Sequence, residues 1–266
     1  MSDETPTAPA VHDLQTDADA GIAAAAEAVA QGQCIVLPTD TVYGIAANAF
    51  SSAAVQKLLD AKQRGKDMPP PVLVAEPSML RALTATVPRD AAALAKAFWP
   101  GALTLILKAQ KTLHLKVGET DGTVAVRVPD HDGARALLRA TGPLAVSSAN
   151  ISGQPAATTC QEAQTALGDA VAVYLDGGAV SGQGASTIVD FSRSYKGRVL
   201  RAGALSFEEL SAVATRLEPL PEPEPQEPEP LEPPPTAVAE IEPTEPLPVE
   251  PTASDATHPP DEPATT

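Results

Sequence analysis

Short apolar runs alternate with helically spaced apolar positions along the first 216 residues of this 266-residue chain. Cys34-Ile35-Val36-Leu37 is a continuous apolar run and predicts a buried strand over 33–38. Ahead of it, Ala20–Val29 predicts a helix, with Asp17 or Asp19 as its cap and Gly32 as its stop. Beyond Pro38–Gly44, Ser51 caps a second helix whose Val55, Leu58 and Leu59 share one face. Met68-Pro69-Pro70-Pro71 cannot be helical and leads into a strand over Val72–Val74. Helices are predicted over 77–84 and 88–98. The turn Trp99-Pro100-Gly101 then opens the strand Ala102–Leu107. Residues 108–122 read as an irregular excursion or lid, before the strand Thr123–Pro129 and a short helix over about 132–140. A strand over Pro143–Ser148, a loop over 149–155, a helix near 159–167 and strands at Val171–Leu175, Ser186–Phe191 and Arg198–Leu200 follow. A last helix is predicted over 206–216, capped by Ser206. Strands and helices interleave with short links, which makes the fold class α/β.

Composition divides the chain. Residues 217–266 hold 16 prolines, 13 Asp or Glu and no Lys or Arg, leaving 21 acidic and 18 basic residues in 1–216. The formal charge of −16 thus belongs mainly to the tail and says little about the ligand of the folded part. A segment so rich in Pro and Glu cannot bury enough apolar surface to offset its ordering, so 217–266 is expected to be disordered and its deletion to leave folding and catalysis intact. Residues 1–14 are expected to be loose, leaving one domain over about 15–212. No long apolar stretch or secretory signal is present, so no membrane is expected as a partner and the location is expected to be cytoplasmic. Cys34 lies in an apolar strand, as a buried free thiol would, and the scattered His12, His114, His131 and His258 give no metal-ligand spacing.

The candidate chemistry lies at the ends of the apolar runs. Pro38-Thr39-Asp40-Thr41-Val42-Tyr43-Gly44 places hydroxyls after the first strand, although a strand end and turn would look the same. Lys62-Gln63-Arg64, with Lys66, is the densest basic cluster; it suits a phosphate clamp or an ordinary helix C-terminus. Arg127 shares a strand face with Ala125 and Thr123, and an arginine on an apolar strand needs a carboxylate or phosphate partner unless the strand is an edge in water. Ser147-Ser148-Ala149-Asn150, Thr158-Thr159, Ser186-Thr187 and Arg201 sit at other strand ends, where open α/β sheets place ligands. The standard nucleotide signatures are missing, because Gly65-Lys66 is followed by Asp67 and no G-x-G-x-x-G occurs.

In order, these segments resemble the YrdC-like domain of threonylcarbamoyl-AMP synthases, in the short single-domain form. The matching pieces are Pro38–Gly44, Lys62-x-Arg64, Trp99–Thr104, Val124–Pro129, Ser148-x-Asn150 with Ser152-Gly153, Ser186–Asp190 and Leu200–Gly203, spread over about residues 15–212. The resemblance implies a twisted mixed sheet with flanking helices around a concave ligand cavity. It implies a nucleotidyltransferase reaction in which L-threonine, bicarbonate and ATP give threonylcarbamoyl-AMP and pyrophosphate. It further implies that a transferase complex then passes the group to adenosine 37 of tRNAs, and leaves weak tRNA binding open. Lys62 and Arg64 are expected to hold phosphates as the catalytic pair, with Mg2+ carried by ATP and no protein metal site. Thr41, Arg127, Ser148 and Ser186 are expected at threonine, with Arg127 on its carboxylate; Thr123, Asn150, Thr158 and Arg201 are expected at ATP. Thr39 and Asp40 are expected to shape the turn. Gly65, Met68 and Ala75 depart from the family pattern, Ala75 replacing a threonine-binding histidine. A competing reading is a non-catalytic double-stranded RNA or tRNA-binding module of the same fold, against which the near-neutral charge and few aromatics of 1–216 weigh. A carbamoyltransferase domain of a larger maturation factor is disfavoured by the missing zinc-finger cysteines.

Overall fold

The computed structural model describes residues 8–180 and 184–220; the expectations for 1–7 and for the tail over 221–266 lie outside the described residues. Its strands are β1 (Ala10–Asp13), β2 (Ile35–Leu37), β3 (Gly44–Asn48), β4 (Val72–Leu73), β5 (Leu103–Lys108), β6 (Thr123–Arg127), β7 (Leu144–Ser148), β8 (Val173–Asp176), β9 (Thr187–Asp190), β10 (Gly197–Arg201) and β11 (Leu217–Glu218). The helices are α1 (Ala18–Ala30), α2 (Ser52–Ala61), α3 (Leu80–Leu83), α4 (Arg89–Phe98), α5 (Asp132–Thr141), α6 (Cys160–Leu167) and α7 (Phe207–Val213). The strands form one mixed sheet in the order β1-β8-β2-β3-β7-β4-β6-β5-β9-β10-β11. The sheet mixes parallel pairs, such as β5 with β9, and antiparallel ones, such as β5 with β6.

Alternation along the strands sorts side chains between two layers. Val36, Ile45, Ala47, Ala145 and Tyr174 join one apolar cluster, with α2, α4 and α6 covering it. Their neighbours Ile35, Leu37, Ala46, Leu144 and Val173 face the other way, into a second cluster with α1 and α5. On β5, β6 and β9 only the first side is so packed: Leu103, Leu105, Val124, Val126 and Val189 belong to the first cluster. The opposite face there carries Thr104, Ile106, Ala125, Arg127 and Ile188 and is left open as the floor of a cavity. The polar and small residues that interrupt these apolar strands therefore mark where helical cover stops.

Several expectations change. Ala10–Asp13, expected to be loose, pairs in parallel with β8, its backbone bonds compensating for a mostly exposed sequence. The ordered part also runs past 212, because Leu217 and Glu218 pair with Gly197 and Arg198. A truncation after residue 216 would thus remove β11. The last helix ends at Val213, not 216. Gly44–Asn48, passed over as the sequel to a turn, is a strand held between β2 and β7.

Ser51 caps α2 as predicted, accepting from the Ala54 amide. Asp17 precedes α1 without a side-chain cap bond; its carboxylate meets His12 instead. At α5 the cap is His131, whose Nδ1 accepts from the Ala134 amide, so Nδ1 must be unprotonated. Burial, opposed by Asp132, Asp40 and Asp130, lowers the histidine's pKa below its ordinary value. Stability from this group is complete above the unfolded-state pKa of about 6.5 and is lost as pH falls below it, because the unfolded chain then binds the proton more tightly. The expected result is a melting temperature that declines on acidification below about pH 6.5 and declines less steeply in His131→Asn, which keeps a capping acceptor without a titrating ring.

Candidate active site

The open face of β5, β6 and β9 is the floor of a cavity of about 240 Å³, walled by the loop after β2, the end of β7 and Arg201 of β10. Larger hollows exist among the described residues, including one of about 660 Å³ beside α3 and α4 and one of about 700 Å³ beside Lys108 and Arg193. Chemistry and not volume singles out the 240 Å³ cavity: Arg64, Arg127 and Arg201 all line it, and none of its described lining residues is a carboxylate.

Arg127 is buried at 6% exposure, and each side of its guanidinium is fixed. Nε donates to the Gly101 carbonyl at 3.0 Å, Nη1 to Thr41 Oγ1 at 2.9 Å and Nη2 to Asp40 Oδ1 at 2.6 Å. Burial pulls its pKa below the usual arginine value and Asp40 opposes the shift. The partner that a strand arginine requires is therefore Asp40, which does more than shape the turn. Asp40 also accepts from the Asp130 amide, locking the loop after β2 to the end of β6.

Thr39 does shape the turn: its hydroxyl donates to the Val42 carbonyl at 2.6 Å and accepts from the amides of Thr41 and Val42. With that proton committed, the 3.1 Å contact between the two hydroxyls is a donation from Thr41 to Thr39. Thr41 Oγ1 already accepts from Arg127, so it has one lone pair to offer a ligand and meets it as an acceptor.

Arg201 reaches the cavity through a register shift. Val199 pairs with Val189, but Ile188 is then faced by Arg201 instead of Leu200. The bulge moves the arginine to the cavity side and leaves Leu200 43% exposed. Arg201 donates through Nε and Nη2 to the Ser186 carbonyl and through Nη2 to Ser186 Oγ, which lies 2.8 Å from Thr104 Oγ1. Burial, then the charges of Arg127 and Arg64, lower the Arg201 pKa. Arg64 donates from Nη1 to Ser147 Oγ at 3.1 Å; its pKa is lowered by burial, with Asp67 opposing. Its Nε is buried without a hydrogen-bond partner among the described residues. Three guanidiniums, with Asp40 against one of them, form a pocket that attracts anions.

Of the residues singled out from sequence, Thr41, Arg64, Arg127, Ser148, Ser186 and Arg201 line this cavity. Lys62, Asn150, Thr123 and Thr158 do not. Lys62 is turned away from it at 2% exposure, its ammonium on main-chain oxygens. Asn150 spends its amide on the Ile151 and Gln154 carbonyls. Thr158 bonds Glu162, the partner that caps α6, and Thr123 bonds the Thr120 carbonyl beside the 700 Å³ hollow. Ser147 stood in a strand-end segment singled out from sequence but was given no role, and Thr104 was given none either; the signal for Thr104 was a lone hydroxyl alternating with Leu103 and Leu105. Met68 is exposed and outside the cavity, while Pro69 and Pro71 line it; Ala75 is buried away from it.

Fold and cavity together define a mixed α/β protein with an arginine-lined anion pocket on the uncovered half of its sheet. The family model Sua5_yciO_yrdC, described as Telomere recombination, matches residues 27–203, and the chain belongs to this family. A Mycobacterium tuberculosis protein is 49% identical over 193 residues, covering 73% of this chain and 88% of its own length. The Bacillus subtilis threonylcarbamoyl-AMP synthase is 40% identical over 197 residues, covering 73% of this chain and 57% of its own. Among solved structures, P. abyssi Sua5 complexed with L-threonine superposes with a TM-score of 0.73 at 32% identity, over 80% of this chain and 62% of that one. E. coli YciO gives a TM-score of 0.67 at 25% identity, over 76% of this chain and 98% of its own. The chain thus spans about three fifths of the P. abyssi and B. subtilis proteins. None of the described helices is long and apolar enough to cross a membrane.

Proposed function

We propose that this protein is a threonylcarbamoyl-AMP synthase, a nucleotidyltransferase that joins L-threonine, bicarbonate and ATP. The observation that carries the reading is the convergence of Arg64, Arg127 and Arg201 on one cavity with no carboxylate among its described lining residues. All three substrates are anions or carry a carboxylate, and the reaction develops charge on phosphate oxygens. The relatives named as threonylcarbamoyl-AMP synthases and the threonine-bound relative support the choice of substrates.

Arg127 takes the threonine carboxylate, already oriented by Asp40 and Gly101. Thr41 accepts a hydrogen bond from the amino group or hydroxyl, and Ser148 and Ser186 flank the same space. The amine condenses with bicarbonate, releasing water and leaving an N-carboxylate. An oxygen of that carbamate attacks the α-phosphorus of ATP, and pyrophosphate leaves. Arg64 and Arg201 hold the phosphates and stabilise the charge that builds during transfer; positioning and electrostatics supply the catalysis. The described lining residues include no carboxylate, so Mg2+ would enter as part of the ATP substrate, held by its phosphates. The product then passes to a transferase that modifies adenosine 37 of tRNA.

Purified protein given Mg-ATP and bicarbonate is expected to release pyrophosphate only when L-threonine is added. Release that is equal without threonine would exclude this function.

A further inference from the structure

Lys62 lies at the C-terminal cap of α2, next to a residue in an unusual conformation: Gln63 has φ 52°, the left-handed geometry that ends the helix. That turn sends the two cations of the Lys62-x-Arg64 pair to different places. Arg64 enters the cavity and bonds Ser147. Lys62 goes under the loop that follows β7. Its Nζ donates to the Ser148 carbonyl at 2.5 Å, the Asn150 carbonyl at 2.7 Å and Asn150 Oδ1 at 3.3 Å. These three acceptors match the three donors of an ammonium. The main chain of the same residue completes the grip, since the Lys62 carbonyl accepts from the Ser152 amide at 2.8 Å. Asn150 closes the loop on itself through Ile151 and Gln154. Among the described residues no carboxylate is paired with the ammonium. A buried lysine held only by carbonyl and amide oxygens is costly and persists where it fixes a backbone that would otherwise lose its acceptors' partners.

We propose that Lys62 is a positioning residue: its ammonium latches the Ser148–Ser152 loop to the end of α2 and thereby sets where Ser147, Ser148 and Arg64 stand in the cavity. The phosphates are met by Arg64 and Arg201, and Lys62 acts on them through the loop. The latch itself stands on the ligand-free geometry; only its effect on turnover rests on the function proposed above.

Hydrogen exchange on the ligand-free full chain tests this independently of activity. In Lys62→Met the amides of Asn150, Ser152 and Gln154 are expected to exchange about tenfold faster or more, while those of Ala46 and Val126 in the sheet keep their rates. Lys62→Gln, whose amide still donates two hydrogen bonds, is expected to restore most of the protection. Unchanged loop exchange overturns the proposal, as does acceleration shared equally by loop and sheet, which would make Lys62 a support of the whole domain. A wild-type protein without turnover would remove the proposed function and leave the exchange result to decide the latch.

Discussion

Arg127→Ala is expected to lower kcat/KM for threonine by roughly a thousandfold. The guanidinium supplies two charge-assisted hydrogen bonds to a carboxylate, each worth about 1.5–3 kcal/mol, and every 1.4 kcal/mol is a factor of ten. ATP binding, assigned to Arg64 and Arg201, should change far less. Stability should fall as well, because Asp40 loses the guanidinium that faces it at 2.6 Å in a site where both are largely buried; breaking such a pair costs about 3 kcal/mol. Arg127→Lys separates the two effects. It keeps a positive charge opposite Asp40 but loses the planar fork, so it should recover most of the stability and only about tenfold of the activity. An Arg127→Ala enzyme with unaltered threonine dependence would remove Arg127 from the substrate site.

Gly203→Ala is expected to be among the most damaging single-methyl changes available. A Cβ there would collide with the Ala185 carbonyl oxygen and lie 2.6 Å from both the Ser186 carbonyl carbon and the Thr187 nitrogen. All three are backbone atoms, which cannot rotate aside. Overpacking of this kind costs about 3 kcal/mol, equivalent to a fall in melting temperature on the order of 10 °C for a domain of this size. The displaced segment carries Ser186, which lines the cavity and receives Arg201, so residual folded enzyme should show weakened substrate binding too. Gly153→Ala makes the comparison: its Cβ would meet open space, and only its φ of 82° is unfavourable, a cost of about 1 kcal/mol. Thermal melting of the two variants side by side checks the contrast.

Much of the sheet was legible because burial and periodicity agree. The alternation in Thr123–Arg127 put Ala125 and Arg127 on one face, and the structure places both on the cavity floor. Ser51 announced α2 by its chemistry and caps it. Where contacts are distant in sequence, the reading failed for identifiable reasons. Gly44-Ile45-Ala46-Ala47-Asn48 has small residues with weak strand preference, and it is a strand because β2 and β7 complete its hydrogen bonds on both sides. Ala10–Asp13 is short and largely exposed, and only β8 gives it a ladder.

The candidate site divides the same way. Residue type raised the need for an Arg127 partner but left an edge strand in water open, and Asp40 as that partner depends on a loop folding back across the sheet. The bulge that exchanges Leu200 for Arg201 opposite Ile188 leaves no mark in the composition of the strand. Lys62 and Arg64 looked like one phosphate clamp because they are two residues apart. The left-handed Gln63 between them sends one to the cavity and the other to the Ser148–Asn150 carbonyls, and no periodicity rule anticipates it.

Mass spectrometry of the product formed from isotopically labelled bicarbonate, L-threonine and Mg-ATP tests the proposed reaction most directly. The expected product is threonylcarbamoyl-AMP carrying the label in its carbamoyl group, with one pyrophosphate released per molecule formed. Unlabelled AMP or ADP as the sole nucleotide product, with threonine unchanged, would contradict it.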